Sequence, residues 1–353
     1  MHDLSSATGV KDPVITSVDD KFVEPEVDTK ARNRARWATF AAELAPLAGL
    51  VVLAVAFVVV GSWQGINMAF SLQTLINQSV IIIIIATGAI FIFSMGSFDI
   101  SLGASTLVSA MVGALVFNAT GDLWAMLLAC VVTAVTTSLI SAVLAAVFDL
   151  PVFVTTVAML SVLGAVAVAL VQTTGGAQIR IDSSFAREYD TLWMKLIVAG
   201  AFIGLCVLLF SFTRLGRVEK LIGGNPVTAK LTGVSMKKTA IAAFAIAGLG
   251  VGLGAFLTVL RTPTLTTMSA GDIGMNILVA MVFGGMPISG GPRSRIYAAL
   301  IGGLSMAFLN QTMTTLLSTT SAGNGIAQIV RAVLFLAIVW VATIGFRSKV
   351  LPR

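Results

Sequence analysis

The sequence predicts an all-α protein, a polytopic membrane helical bundle of about ten transmembrane helices, and three observations carry that expectation. Of its 353 residues, 57% are hydrophobic and 11% charged, against roughly 25% charged in an ordinary soluble domain. Uncharged apolar runs such as Leu47–Val60, Ile81–Phe93 and Val333–Val341 recur along the chain. Each sits in a stretch able to reach the roughly 20 residues that a membrane-spanning helix requires. The alternating segments of about ten residues that would mark a spanning β-barrel are absent.

Residues 1–36 form a polar tail in which acids and bases mix with Pro13 and Pro25. Such a segment buries too little apolar area to offset its ordering entropy and reads as disordered. It is not a signal peptide, because the apolar region starts too late. Arg32, Arg34 and Arg36 lie directly before the first apolar run, a positive-inside anchor that places the amino terminus in the cytoplasm. The transmembrane domain then covers 37–347, and 348–353 form a cytoplasmic C-terminal tail. Its spans are expected near Phe40–Val60, Gln78–Met95, Gly103–Ala119, Leu123–Phe148 and Val152–Val171. The second half supplies Leu192–Phe212, Thr239–Leu260, Ile273–Met286, Ile296–Leu317 and Ile326–Phe346.

Charge tests this order. The segments assigned to the cytoplasm hold Arg214, Arg217, Lys220, Lys230, Lys237, Lys238, Arg293, Arg295, Arg347, Lys349 and Arg353. The outer loops hold only Arg180, Arg187 and Arg261 as bases, with Asp182, Glu188, Asp190 and Asp272 beside them. That asymmetry supports an even number of spans in a bacterial cytoplasmic membrane, with both ends inside. The net charge of +6 is thereby dispersed over short inter-helix segments, so no nucleic-acid surface is implied. Cys130 and Cys206 lie in apolar runs as buried free thiols, with no metal spacing. The single His2 lies in the tail, which removes histidine chemistry.

Small residues recur within the spans, as in GLGVGLGAF (Gly248–Phe256), the spacing that lets helix backbones approach closely in lipid. Two further glycine-rich stretches resemble each other: GSFDISLG (Gly96–Gly103) and GGMPISGG (Gly284–Gly291). Each interrupts an apolar run. They read either as a duplicated pair of broken helices beside a transport pathway or as two ordinary turns. Ser97, Asp99, Ser101, Asn276 and Ser289, beside these breaks, are the candidates to line or shape the pathway. Asp99 has two readings, a helix-start cap or a pathway carboxylate. Arg331, one turn into the last span, either snorkels to an interface or pairs within the bundle.

The most informative segment is basic, TRLGRVEKLIGGNPVTAKLTGVSMKK (Thr213–Lys238). Within it Asn225 suits an N-cap, Pro226 the first helical position and Gly233 the closing turn. A two-turn helix alone in water is marginal, so a surface must hold it: the bundle's own underside or a docked partner. The chain carries no Gly-Lys-Ser or Gly-Lys-Thr, so it lacks a nucleotide-binding P-loop.

Four segments resemble those of the permease subunits of ribose-type ABC sugar importers, in order and at family spacing: GSFDISLGA (Gly96–Ala104), IGGNPVTAKLTGV (Ile222–Val234), FGGMPISGGPRSRIYAALIGG (Phe283–Gly303) and FLNQTMTTL (Phe308–Leu316). Ser97 and Phe98 stand where the family usually has Gly-Ile, and Pro292-Arg293-Ser294 where it often has Gly-Lys-Gly. The resemblance implies an ABC importer permease architecture of type II-like form, a second permease copy or homologue, two ATP-binding cassette domains and an extracytoplasmic solute-binding protein. ATP-Mg would belong to the ATPase partner, and this chain would bind no cofactor or metal and catalyse nothing. Gly223, Gly224, Asn225, Pro226, Lys230, Leu231 and Gly233 would form the coupling to that ATPase. The solute would be a small sugar or sugar-like molecule. The alternatives are a permease for nucleosides or branched-chain amino acids, or an ion-coupled secondary transporter. The last needs ionisable residues deep in several helices, and the sequence offers chiefly Asp99 and Arg331.

Overall fold

The computed structural model describes the backbone of residues 29–267, 269–287 and 289–317, and of 325–327, 329–330, 332–333 and 336. The described residues include α1 (Thr29–Trp63), α2 (Met68–Ser94), α3 (Leu102–Thr120), α4 (Leu123–Val147) and α5 (Val152–Thr173). There follow β1 (Ile179–Arg180), α6 (Ser183–Tyr189) and α7 (Leu192–Val207), which closes in a π-helical turn over Leu208–Phe212. Next come α8 (Arg214–Gly224), α9 (Pro226–Leu231), α10 (Met236–Arg261), β2 (Thr264–Leu265), α11 (Ser269–Phe283) and α12 (Tyr297–Leu317). Seven described helices are long and apolar enough to cross a membrane: α2 to α5, α10, the Leu44–Trp63 part of α1, and Leu192–Phe212. The chain is a multi-pass membrane protein.

Three boundaries differ from expectation. α1 begins at Thr29, inside the segment read as tail, because Lys30, Ala31, Arg32, Arg34, Ala35 and Arg36 are good helix formers whatever their charge. α2 starts at Met68, one polar stretch earlier than the apolar run suggests, because Asn67 caps it by accepting from Phe70 N. α11 covers Ser269–Phe283 where Ile273–Met286 was expected, because the chain turns at Gly284 and Gly285, the latter at φ +79°. Residues 1–28, Arg331, 348–353 and most of the tenth expected span lie outside the described residues.

α2, α3 and α10 make most of the core, which lies within Ala42–Arg353. In α2 every residue from Ser79 to Ser94 is buried, as suits a helix apolar on all faces. α10 packs between α2 and α4, and its glycines set both contacts. A Cβ on Gly248 or Gly252 would come 2.8 Å from Val135 Cα or 2.5 Å from Val131 Cα, on α4. A Cβ on Gly250 or Gly254 would instead meet Ile84 O at 3.1 Å or Ile85 Cγ1 at 2.5 Å, on α2. The GLGVGLG run is thus a two-sided packing surface, as small-residue spacing in lipid predicts.

The two ends of the bundle are distinct. At one end β1 pairs antiparallel with β2, Ile179 opposite Leu265, and Asn118 Nδ2 donates to Arg180 O at 2.8 Å. The segments expected on the outer side therefore meet. At the other end lie α8, α9 and the Lys237–Asp149 pair (2.9 Å), which joins the start of α10 to the turn after α4. That pair is exposed and contributes at most about 1 kcal/mol.

Candidate functional site

The first glycine break is built from local chemistry. α2 stops at Ser94, and Gly96 takes φ +75°, a left-handed conformation open to glycine. Asp99, 2% exposed, turns the chain into α3. Its Oδ1 accepts from Ser101 N at 2.8 Å and from Ser101 Oγ at 2.6 Å. This geometry closes a turn ahead of α3, whose N-cap residue is Ser101. Phe98 packs edge-on against Phe93, with ring centroids 4.9 Å apart.

The break lies inside the bundle. Ser105 and Thr137 share a hydrogen bond of 2.6 Å, yet α3 begins at Leu102 while α4 runs on to Val147. At 1.5 Å per residue, α3 starts about 10 Å inward of the end of α4. This favours a broken helix over a surface turn.

The second break, after Phe283, comes to the same place. Gly285, Gly290 and Gly291 have φ of +79°, +67° and +91°. Gly291 N donates to Ser94 O at 2.8 Å. A Cβ on Gly96 would stand 2.7 Å from Ser289 O, and one on Gly290 would meet Ser94 O at 2.5 Å and Phe93 O at 2.6 Å. The end of α8 makes the third side: a Cβ on Gly223 would overlap Ser94 O and lie 2.5 Å from Gly291 N. The two sequence-similar stretches and the basic segment therefore meet backbone to backbone, at contacts that admit no side chain.

α8 is fixed on the bundle by Gly216, Glu219 and Ile222, all buried. Lys220 Nζ lies 4.3 Å from the Phe210 ring centroid, and Phe210 packs edge-on against Phe91 of α2. Glu219 is wholly buried; its Oε2 lies 3.4 Å from Ser94 Oγ, and Oε1 has no hydrogen-bond partner among the described residues. Burial pushes its carboxyl up to about 9, with the Ser94 contact and the Lys220 charge opposing. Sequence reasoning missed Glu219. Its signal was an acid three residues from each of Gly216 and Ile222, on the buried stripe of an amphipathic helix.

α9 has the caps its sequence predicts. Asn225 Oδ1 accepts from Val227 N and Thr228 N, both at 3.0 Å, with Pro226 at the first helical position. Gly233, at φ +79°, ends it by donating to Lys230 O at 3.1 Å. Only Ala229 is buried; Val227 is 68% and Leu231 82% exposed, one helical turn apart at the tip.

The pathway candidates do not form one cluster. Ser97 is half-buried and Ser289 exposed, both at the junction, and Asp99 and Ser101 are buried in the first break. Asn276 is buried elsewhere, in the wall of a cavity of about 290 Å³ between α2, α10 and α11. Arg261 and Gln78 also line it, and sequence reasoning had placed Arg261 in an outer loop. A further missed group is Lys195, 1% exposed, which pairs with Asp190 at 2.5 Å and donates to Asn77 Oδ1 at 2.8 Å. Lys195 and Asp190 are thereby closed into one ion pair.

Residues 71–339 match the family described as the permease component of branched-chain amino acid transport systems. Among curated proteins, the chain is similar to the ribose import permease protein of Escherichia coli: 24% identical over 309 residues, covering 84% of this chain and 91% of the relative. It is 25% identical to the fructose import permease protein of Bifidobacterium longum, over 71% of this chain and 72% of the relative. The L-arabinose transport system permease protein of Escherichia coli is 24% identical, over 65% and 67%. No solved structure matches.

Proposed function

The chain belongs to this permease family, and on that premise we propose that it forms the membrane pathway of an ATP-driven importer for a small sugar. The sugar assignment draws on the relatives, which are named for ribose, fructose and arabinose import. The chain itself is non-catalytic. ATP-Mg is held by two ATP-binding cassette domains on partner chains, and an extracytoplasmic binding protein delivers the solute. The membrane is the bacterial inner membrane, both termini and α8–α9 lie in the cytoplasm, and the β1–β2 ribbon faces outside. A second permease copy or homologue completes the pathway.

The observation that carries this reading is the junction. An ATPase that changes shape on ATP can shift a permease only through contacts that differ between its two states. α9 offers an apolar tip to such a partner, and α8 joins that tip to both broken helices at Ser94 and Gly291. Force applied at Leu231 therefore reaches both breaks through backbone contacts with no compliant side chain between them. Gly223 and Gly224 form the joint, Asn225, Pro226 and Gly233 hold α9 rigid, and Lys230 adds rim electrostatics of about 1 kcal/mol or less. Ser97, Asp99, Ser101 and Ser289 shape the moving breaks, and Asn276 lines the route above them.

The test combines Pro226→Gly with Leu231→Asp. The bundle should still fold, but the ATPase should no longer co-purify, and solute-stimulated hydrolysis in reconstituted membranes should be lost. Wild-type levels of both would remove the coupling role from α9.

A further inference from the structure

We propose that the cavity between α2, α10 and α11 is a binding site, inside a single protomer, for one monosaccharide-sized polyol. This rests on the sugar-importer reading and adds to it a station on the route, with Gln78, Arg261 and Asn276 as recognition groups.

Size comes first. About 290 Å³ lies at the lower limit of cavities that take drug-sized ligands, which suits a single five- or six-carbon sugar. The lining is two-faced. Ile81, Ile82 and Ile85 of α2 with Ile273 and Ile277 of α11 make an apolar wall, suited to the C–H face of a sugar ring. Gln78, Thr258, Arg261, Thr262 and Asn276 face the same space. Between them they carry two amides, two hydroxyls and a guanidinium, donors and acceptors in the mixture that hydroxyl groups need.

Among the described residues lining the cavity, Arg261 is the only charged one. Arg261 supplies directed N–H donors to that space. Thr258 Oγ1 donates to Gly254 O at 2.7 Å, which leaves its oxygen to accept. Asn276 on α11 and Gln78 on α2 stand on the two helices that end in the glycine breaks. A sugar held by both side chains would be released as the junction moves those helices.

The experiment uses the complete transport complex in proteoliposomes, with Gln78→Cys and, separately, Thr262→Cys as reporters. Cys130 and Cys206 are both buried and stay as background. A methanethiosulfonate reagent is applied with D-ribose, L-arabinose or D-fructose, whichever the wild-type complex imports. Saturating sugar should slow modification at both positions at least fivefold, and leave a Ser184→Cys reporter on α6 unaffected. Adding Arg261→Met should abolish the protection without changing the unprotected rate. Because Thr262 is exposed, its thiol reports even if Gln78→Cys fails to assemble. Unchanged labelling in a complex that imports the sugar would overturn the site while leaving the importer reading intact. Import of none of the three sugars would remove the importer reading, and this site with it.

Discussion

Replacing Gly223 by Ala tests the junction at its tightest point. The added methyl would lie 2.5 Å from Gly291 N and closer still to Ser94 O, where carbon contacts are comfortable near 3.5–4.0 Å. α8 must therefore withdraw by about 1 Å. Overpacking of this kind costs about 1–3 kcal/mol, and loosening the Gly291–Ser94 hydrogen bond adds about 1 kcal/mol. The sum, about 2–4 kcal/mol, disfavours the engaged junction by roughly 30- to 700-fold at 1.4 kcal/mol per tenfold. Gly224→Ala is the internal control, because its Cβ would meet only the Pro292 ring, at 3.2 and 3.6 Å. A pyrrolidine edge can yield, and alanine favours the helix. The assay is the initial rate of ATP-dependent uptake in proteoliposomes, alongside ATPase co-purification. Gly223→Ala should retain the ATPase yet lose at least tenfold in uptake, while Gly224→Ala stays within twofold of wild type. Uptake by Gly223→Ala within twofold of wild type would refute the backbone-contact reasoning.

Three further outcomes follow from the same geometry. Asp99→Asn keeps an oxygen to accept from Ser101 and should transport at near wild-type rate, whereas Asp99→Ala should lower assembled permease through a loss of about 1–3 kcal/mol; normal assembly with failed transport in Asp99→Asn would favour the pathway reading. The folded chain holds the Glu219 proton up to about pH 9 rather than the ordinary 4.5. It therefore binds more protons than the unfolded chain in that window, and stability falls as pH rises through it. The unfolding midpoint of the purified permease should drop between pH 5 and 9, and Glu219→Gln should flatten that dependence; an equal slope in the variant would exclude Glu219 as its source. For topology, thiols at Thr228→Cys and Ser184→Cys, both exposed positions, should label from the inside and the outside respectively, and labelling of Thr228→Cys from outside would reverse the orientation.

Much of this architecture is legible in the sequence because lipid imposes length and composition on every span. The caps of α9 were readable to the residue, since Asn225, Pro226 and Gly233 each have a local conformational preference that needs no tertiary partner. The GLGVGLG run announced close packing, and the similarity of Gly96–Gly103 to Gly284–Gly291 marked two breaks that prove to touch. What the sequence could not show was convergence. That Gly223 closes against Ser94 and Gly291 depends on three segments far apart in the chain, and glycines announce a close approach without naming the partner. Glu219, Lys195 and Arg261 were missed for a related reason. Each lies near the end of a helix or in a charged segment, where a titratable residue reads as solvated, and only packing shows Glu219 and Lys195 buried and Arg261 half-buried. Asn276 was found as a pathway candidate, but the cavity it lines depends on side chains from α2 and α10.

The central claim is that this permease moves a sugar using ATP hydrolysed by a partner. Its most direct test is uptake of radiolabelled ribose, arabinose and fructose into proteoliposomes holding the permease, the ATPase and the binding protein, with ionophores abolishing proton and sodium gradients. At least one of these sugars should accumulate in a manner that requires ATP inside the α9 compartment and persists with the ionophores present. Accumulation that needs an ion gradient and proceeds without ATP would contradict it.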